Sequence, residues 1–384
     1  GAEAGVRGAE ARLSARARTR GPTPVRGFLL TPTYRLSGGT PVVHLHGILE
    51  TGEPCLLLDD RPRPYFFVPR ARLGDARRAL PGIVFEDTEM RAFDGSAVAR
   101  AIATNPGEVP ALRQKLERLG IECLEADVRF TTRYLIDRGL RGGFEVEGEH
   151  TFARGVGRVY RNPELRPCSW TPALRVLSLD IETSPRADLV YSIALQMGER
   201  EAVLLLYDRP VRGAEDFSRE PDLLRRFLAL VREWDPDVIT GWNVVDFDLA
   251  VLQKRCHQHG LRCALGRTED ELEIRRDASF TRESRAVLQG RLVLDGLSLV
   301  RGAFLRLEDY KLETAAQAFL GRGKLFAGDG RHHQIEEAYR ADPEALVRYN
   351  LLDARLVSDI LERTQLIPLA VQRSLRTGMS LDRV

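Results

Sequence analysis

Between positions 175 and 208 three β-rich runs follow one another, RVLSLDIET, LVYSIALQM and EAVLLLYD, separated by only a few polar residues. The pattern then alternates: it predicts a helix over 221–234, a strand over 237–242, a helix over 247–259, a strand over 291–295 and further helices beyond. Such an order leaves few solutions, and the one it predicts is a mixed sheet flanked by helices, an α/β domain of the catalytic type. Between 265 and 289 the chain is highly charged with few large apolar residues, which predicts a projecting hairpin or loop.

The preceding stretch, from 28 to about 136, reads differently. Short apolar runs (FLL, VVHLHGIL, PCLLL, PYFFV) broken by Pro and Gly predict strands and turns. Over 107–119, Leu112, Leu116 and Leu119 recur at helical spacing after a proline suited to a first turn. This is an α+β pattern that suggests no chemistry by itself. Residues 1–27 carry arginines at 7, 12, 16, 18, 20 and 26 against Glu3 and Glu10, with almost no large apolar side chains, and are expected to form a disordered basic tail, either a solvated leader or a nonspecific DNA tether.

Composition excludes several classes. With 57 basic and 55 acidic residues the formal charge is +2, so any nucleic-acid contact is local rather than a property of the whole surface. Five cysteines at 55, 123, 168, 256 and 263 make no disulfide framework, and no stretch of 18 apolar residues suits a membrane span. A reducing, cytosolic setting is the expectation.

Chemistry is suggested at three places. Asp180 and Glu182 stand two apart in RVLSLDIET, so strand alternation sends both carboxylates to one face and Ile181 to the other. Two such charges raise each other's pKa unless arginines or hard divalent cations neutralise them; a solvated or salt-bridged pair at a strand end would fit the same residues. DVITGWNVVDFDL runs from a strand through Asn243, Asp246 and Phe247 to Asp248 at a strand-to-helix junction, where ligands of open α/β sheets gather. Asp246 is the expected cap of the new helix. Tyr349 and Asp353 lie four apart in a long helix expected over 343–363, which puts phenol and carboxylate on one face, able to reach one cleft; a half-buried Tyr349 beside a solvated Asp353 is the alternative.

In this order, Asp-x-Glu on a strand, Asn-x-x-x-Phe-Asp at a junction and Tyr-x-x-x-Asp on a late helix resemble the three exonuclease motifs of the DEDD superfamily, in the tyrosine-bearing branch found in family B DNA polymerases. RPRPYFFVP and EADVRFTTRYLIDRGL are similar to amino-terminal segments of that family, and TPALRVLSLDIET and ITGWNVVDFDLAVLQKR to its bacterial DNA polymerase II branch. The resemblance runs from about 28 to 384. It implies an α+β amino-terminal domain over 28–150, a ribonuclease H-like exonuclease domain over 151–365 with a mixed sheet flanked by helices, and a segment over 366–384 returning towards the amino-terminal domain.

The resemblance further implies a proofreading 3′→5′ exonuclease of DNA replication and repair. Asp180, Glu182, Asp248 and Asp353 would hold two Mg²⁺ or Mn²⁺ ions, Tyr349 would help place the attacking water, and Asn243 and Phe247 would contact DNA. An unperturbed tyrosine pKa near 10 suits ordering a water better than taking its proton. The implied partner is a single-stranded or frayed 3′ primer end in the bacterial cytoplasm, at the nucleoid. Family B polymerases continue into palm, fingers and thumb, whereas this chain ends at LDRV without an Asp-Thr-Asp-like motif. It is therefore expected to be part of a longer polymerase, and a sliding clamp would be met through the missing part. Two other functions fit parts of the pattern: a free-standing DEDD nuclease acting on RNA, and a nucleic-acid-binding module that has lost its chemistry.

Other signals are weaker. Cys256, His257, His259 and Cys263 invite a zinc reading, but neighbours on a helix point apart and no CxxC pair accompanies them. His332 and His333 read as an exposed polar loop, and Asp295 as the cap of the following helix. Trp242 and Phe304, like Phe247, could stack a displaced base, yet each also fits core packing.

Overall fold

The computed structural model describes residues 19–20, 24–276, 284–323 and 331–383. The chain divides into two compact units between Trp170 and Thr171. In the first, β1 (Thr19–Arg20), β2 (Val25–Ser37), β3 (Thr40–Leu49), β4 (Pro54–Asp59), β8 (Gly143–Glu147), β9 (Glu149–Ala153), β10 (Gly157–Arg161) and β11 (Glu164–Pro167) make one sheet in the order β1-β9-β10-β4-β3-β2-β8-β11. Phe130, Tyr134 and Leu135 of α3 (Phe130–Asp137) pack on its Val43, Leu45 and Phe144. A second sheet, β5-β7-β6 (Tyr65–Pro69, Ala97–Ile102 and Val84–Arg91), buries Phe66, Val68 and Ala101 with Ala76 of α1 (Leu73–Ala79) and Leu116 of α2 (Val109–Glu117).

The second unit is built on a six-stranded sheet of β12 (Val176–Thr183), β13 (Val190–Met197), β14 (Arg200–Leu206), β15 (Glu215–Phe217), β16 (Val238–Thr240) and β19 (Leu292–Val293), in the order β15-β14-β13-β12-β16-β19. β12, β13 and β14 run antiparallel, while β16 lies parallel to β12 and β19 parallel to β16. Alternation along β12 sends Leu177, Leu179 and Ile181 to one side, where they meet Leu223, Leu224, Phe227 and Val231 of α4 (Glu220–Trp234). That helix starts with Pro221 in its first turn and ends where Asp235 turns left-handed.

The sheet's other side is covered by α9 (Pro343–Thr364), capped by the Asp342 carboxylate on the Ala345 amide at 3.0 Å. Its Leu346, Val347 and Ala354 pack with Tyr191, Ala194, Val203 and Leu205. The mixed sheet between helical layers, with an α+β unit before it, is the expected fold class.

Several expectations change in detail. β9, β10 and β11 complete the first sheet, so the division falls after Trp170 and not at 150/151; these strands carry too few apolar residues to declare themselves. The basic tail falls mostly on residues 1–18 and 21–23, outside the described residues, but Val25–Gly27 already belong to β2, and Arg26 is held there by Glu50 at 2.7 Å. The segment after 365 counts with the second unit: α10 (Leu366–Thr377) follows α9 across a left-handed Gln365, and Leu366 packs with Leu361 and Ile360. β17 (Glu273–Arg275) and β18 (Arg285–Val287) pair as the expected hairpin; 277–283 lie outside the described residues. His333 lies in a helix, α8 (Arg331–Ala341), and not in a loop.

Candidate active site

The face of β12 opposite Leu177, Leu179 and Ile181 carries Asp180 and Glu182. Asp180 is half-buried and Glu182 buried, and a bulge between Glu182 and Thr183 closes the strand there. α9 brings Asp353, wholly buried, to the same place. Ligand oxygens of Asp180, Glu182 and Asp353 all lie within 4.8 Å of one another, and among the described residues no other such group of three acids, histidines or cysteines occurs.

The fourth acid arrives by a different route. Immediately after β16 the chain passes so close to β12 that a Cβ on Gly241 would stand 2.6 Å from the Leu179 carbonyl oxygen, so only glycine fits. Asn243 then adopts a left-handed conformation (φ 61°), and a π-helical turn (Val245–Leu249) leads into α5 (Ala250–Gln258). The expected cap, Asp246, is exposed and bonds no end of this turn. Asp295 does that work from 50 residues away: its carboxylate accepts the Asn243 and Val245 amides at 3.1 and 3.3 Å. It also accepts the Leu297 amide at 2.9 Å, capping α6 (Gly296–Gly302) as the sequence predicts.

So braced, the turn directs Asp248 inward. Its Oδ1 accepts the Ile181 amide at 3.0 Å, the backbone group lying between Asp180 and Glu182. Burial, with the Asp180 charge added, pushes the Asp248 carboxyl well above its ordinary range. The structure thus brings all four predicted acids to one region, three with ligand atoms in a tight group and the fourth docked on the backbone between two of them.

Tyr349, one turn before Asp353, has no exposed surface and belongs to the apolar cluster with Tyr191 and Ala194. Neither half of the alternative holds, since Asp353 is also buried. Asn243 and Phe247 are exposed on the turn that carries Asp248, Phe247 by 40%. Trp242 is half-buried with its indole N–H on the Tyr310 carbonyl at 2.9 Å, as core packing requires. Phe304 is 86% exposed, so core packing does not account for it.

One participant went unremarked in the sequence. Asn350 stands inside the Tyr349–Asp353 motif, is wholly buried, and its Nδ2 donates to Asp180 Oδ2 at 2.7 Å. No spacing rule marks it, because its target lies 170 residues away. The zinc reading fails on partners as well as geometry: His257 faces Glu271 and His259 faces Glu220, while Cys256 and Cys263 are buried. Two cavities of about 520 and 660 Å³ open beside Tyr207 and Arg255 and beside Thr171 and Gln365; none of the four acids lines either.

An acid set of this kind can bind metal. Carboxylates gathered in a largely buried place repel one another, and hard divalent cations, which take carboxylate oxygens, relieve that repulsion. No helix among the described residues is long and apolar enough to cross a membrane.

Comparison with known proteins gives a consistent result. The family model described as DNA polymerase family B, exonuclease domain, matches residues 121–315. The chain is 35% identical over 278 residues to DNA polymerase II of Escherichia coli, covering 70% of this chain and 35% of that protein. It is 28% identical over 381 residues to a DNA polymerase of Thermococcus kodakarensis, covering 92% of this chain and 20% of that one. The solved family B DNA polymerase of the archaeon Pyrobaculum calidifontis superposes with a TM-score of 0.78 at 27% identity, over 93% of this chain and 48% of that one. The chain therefore spans less than half the length of each of these relatives.

Proposed function

The chain belongs to the exonuclease-domain family of the family B DNA polymerases, and from that premise we propose that its acid set hydrolyses DNA from the 3′ end, one nucleotide at a time. The single observation that carries the reading is the convergence of Asp180, Glu182 and Asp353 within 4.8 Å, with Asp248 docked on the Ile181 amide beside them. These four carboxylates would hold two divalent ions, Mg²⁺ or Mn²⁺, which when bound supply a water of lowered pKa and offset the charge of the phosphodiester.

The protein's own residues do the positioning. β12 presents Asp180 and Glu182, α9 presents Asp353, and the π turn held by Asp295 presents Asp248. Asn243 and Phe247, exposed on that turn, contact the 3′-terminal nucleotides, the ring offering a stacking surface. Tyr349 orders the attacking water through its hydroxyl, a role that requires bound substrate to uncover a phenol with no exposed surface here.

The substrate is a single-stranded or frayed 3′ end, and the setting is proofreading within a longer DNA polymerase of the bacterial cytoplasm, nucleoid-associated, with a sliding clamp reached through the rest of that protein. Matches to DNA polymerases over 92% of the chain, both units included, disfavour a free-standing RNA nuclease. Retention of all four acids and the tyrosine disfavours an inert binding module. Initial rates on single-stranded DNA, matched duplex and terminally mismatched duplex, each with and without Mg²⁺, test the proposal. Metal-dependent release of mononucleotides, fastest from single strands and faster from mismatched than matched ends, is expected; digestion indifferent to metal, or confined to RNA, would overturn it.

A further inference from the structure

Asn350 is a buried amide that links α9 to both central strands of the sheet at the acid set. Its Nδ2 donates to Asp180 Oδ2 on β12 at 2.7 Å, and its Oδ1 accepts the Ser192 hydroxyl on β13 at 2.6 Å. Asn350 and Ser192 both have no exposed surface. The amide's orientation is fixed by chemistry: an ionised carboxylate only accepts, so the NH₂ end faces Asp180, and the oxygen left over faces a hydroxyl free to turn and donate.

Ser192 stands directly opposite Glu182 in the strand pairing, and Asp180 opposite Ala194. The relay therefore crosses from one strand to the next at the level of the acids. We propose that Asn350, backed by Ser192, is a positioning residue: it fixes the plane of the Asp180 carboxylate and so the direction in which that group offers its oxygens to metal. The relay thereby helps set the affinity of this protein for divalent cations. The inference rests on the reading of the four acids as a metal site.

Groups that orient a metal ligand typically cost ten- to a hundredfold in metal affinity when removed. The test uses the whole chain without DNA and Mn²⁺ alone as probe, its binding followed by calorimetry and by the electron paramagnetic resonance of free Mn²⁺. The Mg²⁺ dependence of single-strand digestion is measured in parallel, separating half-saturating concentration from the rate at saturation. Asn350→Ala is expected to weaken Mn²⁺ about ten- to a hundredfold and to raise half-saturating Mg²⁺ correspondingly, with the saturated rate falling much less. Ser192→Ala should weaken Mn²⁺ about two- to tenfold, the span of one hydrogen bond, and Ser192→Thr, which keeps the hydroxyl, should restore it.

Parent-like Mn²⁺ binding by Asn350→Ala would overturn the proposal. If circular dichroism shows that this variant does not fold, the serine pair decides: Ser192→Ala binding Mn²⁺ as tightly as the parent overturns it, and a loss rescued by Ser192→Thr supports it. A parent that binds no Mn²⁺ at all sinks the metal reading of the acids themselves, a result distinct from equal binding by parent and variant.

Discussion

β12 and β16 gather aspartates at both of their ends, and the two ends treat them in opposite ways. At the amino end Asp235 and Asp237 meet three guanidinium groups: Arg175 and Arg267 reach Asp237 at 3.0 and 2.7 Å, and Arg291 reaches Asp235 at 2.8 Å. At the carboxyl end Asp180 and Asp248 are held by neutral donors, the Asn350 amide and the Ile181 N–H. Asp237 and Asp248 are about equally buried, 1% and 4% exposed. Burial alone would raise both. It does raise Asp248, with Asp180 adding to it, whereas Arg175 and Arg267 more than offset it at Asp237 and hold that carboxyl below its ordinary range. At the amino end the excess charge is positive, and Arg291 is pushed down to about 10 by burial and by Arg267. An aspartate neutralised within the fold is a structural part; one braced by neutral groups beside other acids is suited to take a cation from solution.

The comparison breaks most sharply under mutation. Asp180→Ala combined with Glu182→Ala should remove all measurable Mg²⁺-dependent digestion of single-stranded DNA and shift the metal-free melting temperature little, because relief of the repulsion is set against loss of the Asn350 amide's acceptor. A double mutant that digests as fast as its parent would show the carboxyl end to be structural too. At the amino end the signs reverse. Asp237→Ala leaves the Arg267 guanidinium buried without its closest partner and should cost about 3–5 kcal/mol in urea unfolding, while the rate per folded molecule holds. A loss below about 1 kcal/mol, the usual worth of an exposed pair, would erase the distinction.

Tyr349→Phe probes the third motif on a smaller scale. The ring keeps its packing against Tyr191 and Ala194, so stability should hold, while turnover falls about ten- to a thousandfold if the hydroxyl orders water. Single-turnover rates equal to the parent's would confine Tyr349 to the core.

The mildest contrast is in pH. Asp237 has a lowered folded pKa, so its contribution is complete above 3.8 and is lost as pH falls through the lower folded value. Asp248 has a raised one, so the folded state binds the extra proton and metal-free stability should rise slightly as pH is lowered from neutrality towards 3.8. Urea midpoints across that range in chelator check both signs. Asp248→Asn should reduce the rise to the smaller share of Asp295, whose carboxyl burial also raises, and keep the acid loss; an undiminished rise would assign it elsewhere.

Much of this was legible without coordinates. Alternation in RVLSLDIET puts Asp180 and Glu182 on one face whatever the rest of the chain does, because the strand period is two. Spacing of four puts Tyr349 and Asp353 on one side of a helix for the same kind of reason, and Pro343 after Asp342 marks where that helix begins. Local periodicity and capping are properties of a few adjacent residues, so sequence determines them. It did not determine which distant groups would meet. That Asp295 and not Asp246 would brace the turn of Asp248, that Asn350 would reach Asp180 across 170 positions, and that Asp237 would find Arg267 while Asp248 found the Ile181 amide, are outcomes of packing. Side-chain charge is written in the sequence, but whether a buried charge is neutralised depends on what the fold places within hydrogen-bonding reach, and only the tertiary structure decides that.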